Sequence, residues 1–140
     1  MTSCAFCEIG QGSAPADVVL DTPDLLGFLD VRPVFLGHTL IVPRQHVPDL
    51  FDAEGALLGL MMQQAQRIAR ALTEVLGAEG TFVALNNRVS QSVPHLHLHV
   101  VPRRKGDGLR GFFWPRQKYA NEVERAALAR RLREAVERPG

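Results

Sequence analysis

The segment His95-Leu96-His97-Leu98-His99-Val100-Val101-Pro102 constrains this chain more than any other. Polar and apolar residues alternate from His95 to Val100, which is the period of an extended strand. Leu96, Leu98 and Val100 then point into a core, and His95, His97 and His99 share the opposite face. Neighbouring imidazoles on that face stand about 6–7 Å apart. Three polar rings on one strand face are costly to desolvate unless partners meet them. The other two histidines, His38 and His46, also fall in one short stretch. On the strand alone three explanations compete. The histidines are satisfied surface groups; or they share a metal ion, as imidazoles at i and i+2 can; or they handle phosphate, with a neutral imidazole as nucleophile.

The flanks supply the rest of an α+β domain. Val18–Leu20 and Leu25–Leu29 read as strands split by the turn Asp21-Thr22-Pro23-Asp24. Leu36–Val42 is a strand closed by Pro43. Leu58, Met61, Ala65, Ile68, Ala69, Leu72 and Leu76 lie at helical spacing, with Asp49 or Asp52 as the cap and Gly77 as the stop. Met61 and Met62 read as packing residues. Thr81–Leu85 and Pro94–Val101 are further strands, separated by the polar loop Asn86–Ser92. Asn121 and Glu124 form a capping box before a second helix with Val123, Ala127, Leu128 and Leu132 on one face. Strands and helices do not alternate, which predicts an antiparallel sheet. The loop Asn86, Asn87, Ser90, Gln91, Ser92 is rich in donors suited to phosphate oxygens. The same residues are also ordinary turn formers.

At 140 residues with 46% hydrophobic and 22% charged side chains, the chain has a globular composition and needs no disulfides. No apolar run reaches the ~18 residues of a membrane span. The start, Met1 to Glu8, has neither the basic nor the apolar part of a signal peptide, so a cytoplasmic protein is expected. Net charge of +1 argues against a general nucleic-acid binder. The charge is uneven: residues 1–102 carry 5 basic and 10 acidic side chains, residues 103–140 carry 11 and 5. The second set could meet a polyanion or the acidic body of a partner subunit, and a solvated basic surface is the favoured reading.

The run Gln91-Ser92-Val93-Pro94-His95-Leu96-His97-Leu98-His99-Val100-Val101 resembles the signature of the histidine triad (HIT) family. Cys4-Ala5-Phe6-Cys7, Phe28-Leu29-Asp30-Val31-Arg32-Pro33 and Gly37-His38-Thr39-Leu40-Ile41-Val42-Pro43-Arg44-Gln45-His46 agree in order. The resemblance is strongest to bacterial members of the histidine triad nucleotide-binding branch. It implies a HIT-like fold, a mainly antiparallel five-stranded sheet with one long helix and a carboxy-terminal helix. It places a HIT domain with an amino-terminal zinc-binding segment at 1–118, and a helix at 119–140 packed on the same domain. It also implies a homodimer, with the long helix and the Thr81–Leu85 strand near the two-fold axis.

The resemblance further implies a nucleotide hydrolase or transferase that cuts at the α-phosphate of a purine nucleoside phosphoramidate or adenylyl conjugate. His97 would be the nucleophile, forming a nucleotidyl-histidine that water resolves, with its other ring nitrogen fixed by a backbone carbonyl. His99 would bond the phosphate or bridging oxygen, and His38 would support the triad. Gln91 and Ser92 would hold phosphate, and Asn86 or Asn87 would lie near ribose and phosphate. Asp30 would accept the ribose hydroxyls. Phe6, Ile9, Phe28 and Val31 would form the base slot, although each also suits plain core packing. Only Arg88-Val89-Ser90 separates Asn87 from Gln91, and Ser90 stands where relatives carry a glycine.

Cys4-x-x-Cys7 alone is compatible with a redox motif, a zinc half-site or chance. The family resemblance completes a zinc set of Cys4, Cys7, His46 and His95, structural in role, with no cofactor in the chemistry. The aromatic segment Gly106–Arg116 either covers the sheet or dimer seam or helps to choose the leaving group. Two alternatives to the leading activity are a dinucleoside polyphosphate hydrolase and a nucleotide-binding regulatory module with incidental turnover. A third is a hydrolase that uses the three histidines as its metal site.

Overall fold

A computed structural model of the protein describes residues 3–110 and 115–139. The chain divides into two compact units, Met1–Asp107 and Gly108–Gly140. The first holds α1 (Ala5–Gly10), β1 (Val18–Asp21), β2 (Leu25–Leu29), β3 (Thr39–Pro43), a 3-10 turn (Leu50–Asp52), α2 (Gly55–Leu76), β4 (Gly80–Ala84) and β5 (Leu98–Arg103). The second holds α3 (Glu122–Glu137). The α3 start is capped as its sequence predicts, with Asn121 accepting the Glu124 N–H at 2.9 Å. The aromatic residues Phe112, Phe113 and Trp114 lie outside the described residues. No helix among the described residues is long and apolar enough to cross a membrane.

The sheet runs β1-β2-β3-β5-β4, and every neighbouring pair is antiparallel. Alternation along its strands produces two buried layers. Leu25, Ile41, Leu98 and Val100 face α2, which presents Met61, Ala65, Ile68 and Leu72. Leu26, Phe28, Leu40 and Val42 point the other way, where Phe6 of α1 covers them. Leu96 completes the α2 layer, as the alternation predicts. Gly77 ends α2 in the left-handed region at φ 69°, donating to the Thr73 carbonyl.

Four expectations shift. Asp49 caps the 3-10 turn, accepting the Phe51 N–H at 2.9 Å, whereas Glu54 holds the α2 cap position without a side-chain bond. The strand predicted from Leu36 begins at Thr39, because Gly37 turns the chain at φ 101° against Leu72 and Leu76. The strand predicted from Pro94 begins at Leu98. Pro94 has no N–H for a ladder, and the Leu96 N–H goes to the Val47 carbonyl at 2.7 Å. The segment carrying His95 and His97 therefore leaves the sheet before β5 forms. Finally, α1 has no counterpart in the sequence reading. Its six residues are too few for a 3.6-residue period to show, although Phe6 and Ile9 do fall three apart.

Candidate functional site

The departure of residues 94–97 from the sheet divides the three clustered histidines between two sites. His97 and His99 line a groove of about 410 Å³ on the α1 side of the sheet. Phe6, Ile9, Phe28 and Val31, the four residues expected in a base slot, all line this groove, as do Asp30 and Ser92. Phe6 meets Phe28 edge-on at 5.5 Å and the His97 ring at 5.1 Å. Val31 is 86% exposed, so it forms the rim while Phe6 and Phe28 form the floor. Leu29, Leu40, Val93 and Arg32 also line the groove, and the sequence reading missed them. Leu40 carried a usable signal, since its position on β3 faces His99 of β5.

Hydrogen bonds fix the tautomers of these rings. The buried His97 places Nδ1 at 2.7 Å from the His95 carbonyl. A carbonyl only accepts, so Nδ1 carries a proton, and in the neutral ring Nε2 holds the lone pair. This is the backbone acceptor anticipated for His97. His38 accepts the Val34 N–H on Nδ1 at 3.1 Å, so its proton sits on Nε2. That Nε2–H donates to His99 Nδ1 at 2.9 Å, which leaves His99 Nε2 as a donor. Burial pushes His99 well below the ordinary histidine value, to about 4, with His97 and His38 adding to the shift and Asp30 opposing it. Burial lowers His38 as well. The pair is therefore neutral near pH 7. The result is a lone pair on His97 and a donor on His99, with ring centroids 5.0 Å apart.

Asp30, His38 and His99 also lie close enough to suggest a cation site. The bonds argue otherwise. With Nδ1 occupied by Val34 N–H, the Nε2 of neutral His38 bears a proton and cannot ligate a metal. Asp30 keeps Oδ1 on the Arg32 N–H at 2.9 Å and Oδ2 at 3.7 Å from His38.

The loop residues are placed less simply. Ser92 reaches the groove, but Asn86, Asn87 and Gln91 do not line it. Asn87 accepts the Leu50 N–H at 2.9 Å, and Asn86 is exposed. Gln91 donates to the Pro48 carbonyl at 2.6 Å and accepts the Arg88 N–H at 2.9 Å. Both ends of its amide are thereby committed away from the groove.

His95 belongs to the second site. Its Nδ1 lies 3.3 Å from Cys4 Sγ, 3.5 Å from Cys7 Sγ and 3.2 Å from His46 Nδ1, and Cys7 Sγ lies 3.4 Å from His46 Nδ1. A tetrahedral zinc with bonds of about 2.0–2.1 Å to nitrogen and about 2.3 Å to sulfur sets nitrogen pairs roughly 3.3 Å apart, nitrogen–sulfur pairs roughly 3.6 Å apart and the sulfur pair roughly 3.8 Å apart. The nitrogen pair at 3.2 Å and three nitrogen–sulfur pairs at 3.3–3.5 Å lie within a few tenths of an ångström of these values, and all four ligand atoms lie within 4.8 Å of one another. His95 Nε2 donates to the Pro43 carbonyl at 2.8 Å, which frees Nδ1 for an ion and orients the ring. Burial pushes the Cys7 thiol up, as does its contact with Cys4. A bound cation reverses that preference by stabilising thiolate.

The class that fold and site define is an α+β protein whose clustered histidines serve a groove and an adjacent Cys/His cluster, both beside α1. Residues 11–106 match the family model described as the HIT domain, and the chain belongs to that family. It is similar to the "uncharacterized HIT-like protein Rv1262c" of Mycobacterium tuberculosis, 40% identical over 138 residues, 95% of this chain and 92% of that one. It is also similar to the adenosine 5'-monophosphoramidase hnt1 of Schizosaccharomyces pombe, 30% identical over 115 residues, 81% of this chain and 84% of that one. Among solved structures, a zinc-bound histidine triad family protein from Mycobacterium smegmatis matches with a TM-score of 0.75 and 43% identity, over 95% of this chain and 97% of that one.

Proposed function

We propose that the chain hydrolyses a nucleotide at its α-phosphate, with a purine nucleoside phosphoramidate or adenylyl conjugate as substrate and His97 as the nucleophile. The observation that carries this reading is the 2.7 Å contact between His97 Nδ1 and the His95 carbonyl beside the groove. In the neutral ring it puts the proton on Nδ1 and leaves the Nε2 lone pair free to attack. In the first step the Nε2 lone pair of His97 forms a bond to phosphorus, and the bond from phosphorus to the leaving group breaks. A departing amine takes up one proton from solvent and leaves with it, and His99 Nε2–H bonds the phosphate or bridging oxygen. In the second step water adds to phosphorus, the P–N bond to His97 breaks, and the attacking water gives up one proton to solvent, which balances the proton carried off by the amine. The imidazolium formed in between is stabilised by the His95 carbonyl at Nδ1. Asp30 accepts the ribose hydroxyls, and Phe6, Ile9, Phe28 and Val31 hold the base. The activity named for the fission-yeast relative, an adenosine 5'-monophosphoramidase, supports the same substrate class.

Zinc at Cys4, Cys7, His46 and His95 is proposed as structural. A closed set of four protein ligands leaves no open position for substrate. When bound, the ion supplies cross-linking between the amino terminus and the residue that anchors His97. The zinc-bound Mycobacterium smegmatis relative supports this assignment. We also take the working form to be a homodimer with α2 and β4 near the two-fold axis.

The testing experiment is a substrate panel. Adenosine and guanosine phosphoramidates should be cleaved to the nucleoside monophosphate faster than diadenosine polyphosphates. Preference for the polyphosphates would transfer the chain to the alternative hydrolase class, and tight nucleotide binding with negligible turnover of every substrate in the panel would make it a binding module.

A further inference from the structure

The loop between β4 and the first clustered histidine contains two non-glycine residues in the left-handed region, Arg88 at φ 69° and Ser90 at φ 59°. Such backbone persists only where surroundings hold it. The surroundings here are consecutive residues of the segment before α2. The Val47 carbonyl accepts the Leu96 N–H at 2.7 Å, and the Pro48 carbonyl accepts Gln91 Nε2–H at 2.6 Å. Asp49 Oδ2 accepts Arg88 Nε–H at 3.0 Å, and the Leu50 N–H donates to Asn87 at 2.9 Å. Arg88 also lies over the Phe51 ring, with its guanidinium carbon 3.9 Å from the ring centroid. Asp49 is buried, and its other oxygen is taken by the Phe51 N–H. A buried carboxylate needs a compensating charge, and Arg88 supplies it.

We propose that Arg88 is a positioning residue for the phosphate end of the groove. Its side chain, gripped by Asp49 and Phe51, holds residues 87–92 in their left-handed turn, so that Ser92 stands beside His97 and His99. Gln91 acts in the same device as a buckle between Pro48 and the Arg88 N–H. The guanidinium is matched by Asp49 and does not itself bind phosphate. This inference rests on the nucleotide reading of the groove.

Arg88→Gly separates the clamp from the backbone, because glycine keeps the left-handed conformation without steric cost. Arg88→Lys keeps a cation for Asp49 but loses the guanidinium contact with Phe51. The expected result for the glycine variant is amide hydrogen exchange at residues 89–93 faster by about tenfold or more, with exchange in β3 and β5 unchanged. With adenosine phosphoramidate, kcat should fall about tenfold while AMP affinity stays within about twofold, and the lysine variant should recover part of the rate. Unchanged loop exchange, or an unchanged kcat in an active enzyme, would overturn the proposal. A loss of kcat that appears only with a matching loss of melting temperature would overturn it too. If the wild type cleaves none of the panel substrates, the reading of the groove fails, and the exchange result alone then judges the clamp.

Discussion

His38 shows how one backbone contact propagates into chemistry. The Val34 N–H occupies Nδ1, which puts the proton on Nε2, which makes His99 Nδ1 an acceptor and His99 Nε2 a donor toward the groove. A protonated His99 would carry hydrogen on both nitrogens and lose the bond from His38. The burial of His99, beside His97 and His38 with only Asp30 opposing, favours the neutral ring. In a nuclear magnetic resonance titration the His99 ring should stay neutral at pH 6 and titrate near 4. The unfolded chain takes up this proton at the ordinary value of about 6.5, so the stability from neutral His99 is full above that value. It should decline as pH falls from about 6.5 toward 4 and change no further below, as read by denaturant midpoints across that window. Asp30 belongs at the same scale. As the proposed acceptor of both ribose hydroxyls, it should make 2'-deoxyadenosine monophosphate bind more weakly than the ribonucleotide by about 1.5–3 kcal/mol. Isothermal titration with both sugars checks this, and equal affinities would remove Asp30 from the sugar site.

α1 and the loop before His95 are where the chain's local pattern carried least information. The alternation of residues 95–100 correctly assigns Leu96, Leu98 and Val100 to the core and brings His97 and His99 to one groove. It does not reveal that His95 turns toward Cys4 and Cys7, since that depends on Leu96 bonding Val47 across the fold. Nor do Asn87 and Gln91 announce that their amides are occupied by Leu50, Pro48 and Arg88, because those contacts are set by tertiary geometry. Helix α1 ties the two sites together. Cys7 points to the cluster, while Phe6 packs against His95 at 5.9 Å and His97 at 5.1 Å. Replacing both cysteines with Ser should therefore abolish zinc binding by elemental analysis and lower the melting temperature. Because the ion is proposed to act on placement and not on phosphorus, the folded double variant at low temperature should keep measurable turnover. Activity strictly proportional to zinc in folded protein would contradict that division.

The first compact unit, considered whole, is a sheet with α2 on one face and a groove on the other, and β4 closes one edge of the strand order. An open edge strand is a ready partner for a second copy. The homodimer placed there should appear as twice the chain mass in light scattering, and a charged substitution at Thr81, exposed on β4, should shift it toward monomer. The sheet order and the long helix follow from patterns that run over many residues. The separation into two units after Asp107 falls at Gly106-Asp107-Gly108, just past the change in charge balance at residue 103, but such short local marks do not by themselves set a boundary. All the proposed chemistry converges on one bond, between His97 Nε2 and phosphorus. The most direct test is a single-turnover reaction with radiolabelled adenosine phosphoramidate, quenched under alkaline denaturing conditions and followed by peptide mapping. The account predicts a transient nucleotidyl adduct on His97, absent from His97→Asn, a variant that should lose turnover yet bind AMP within about tenfold, or ~1.4 kcal/mol, of the wild type. Turnover without any adduct, an adduct on another residue, or substantial activity in His97→Asn would contradict it.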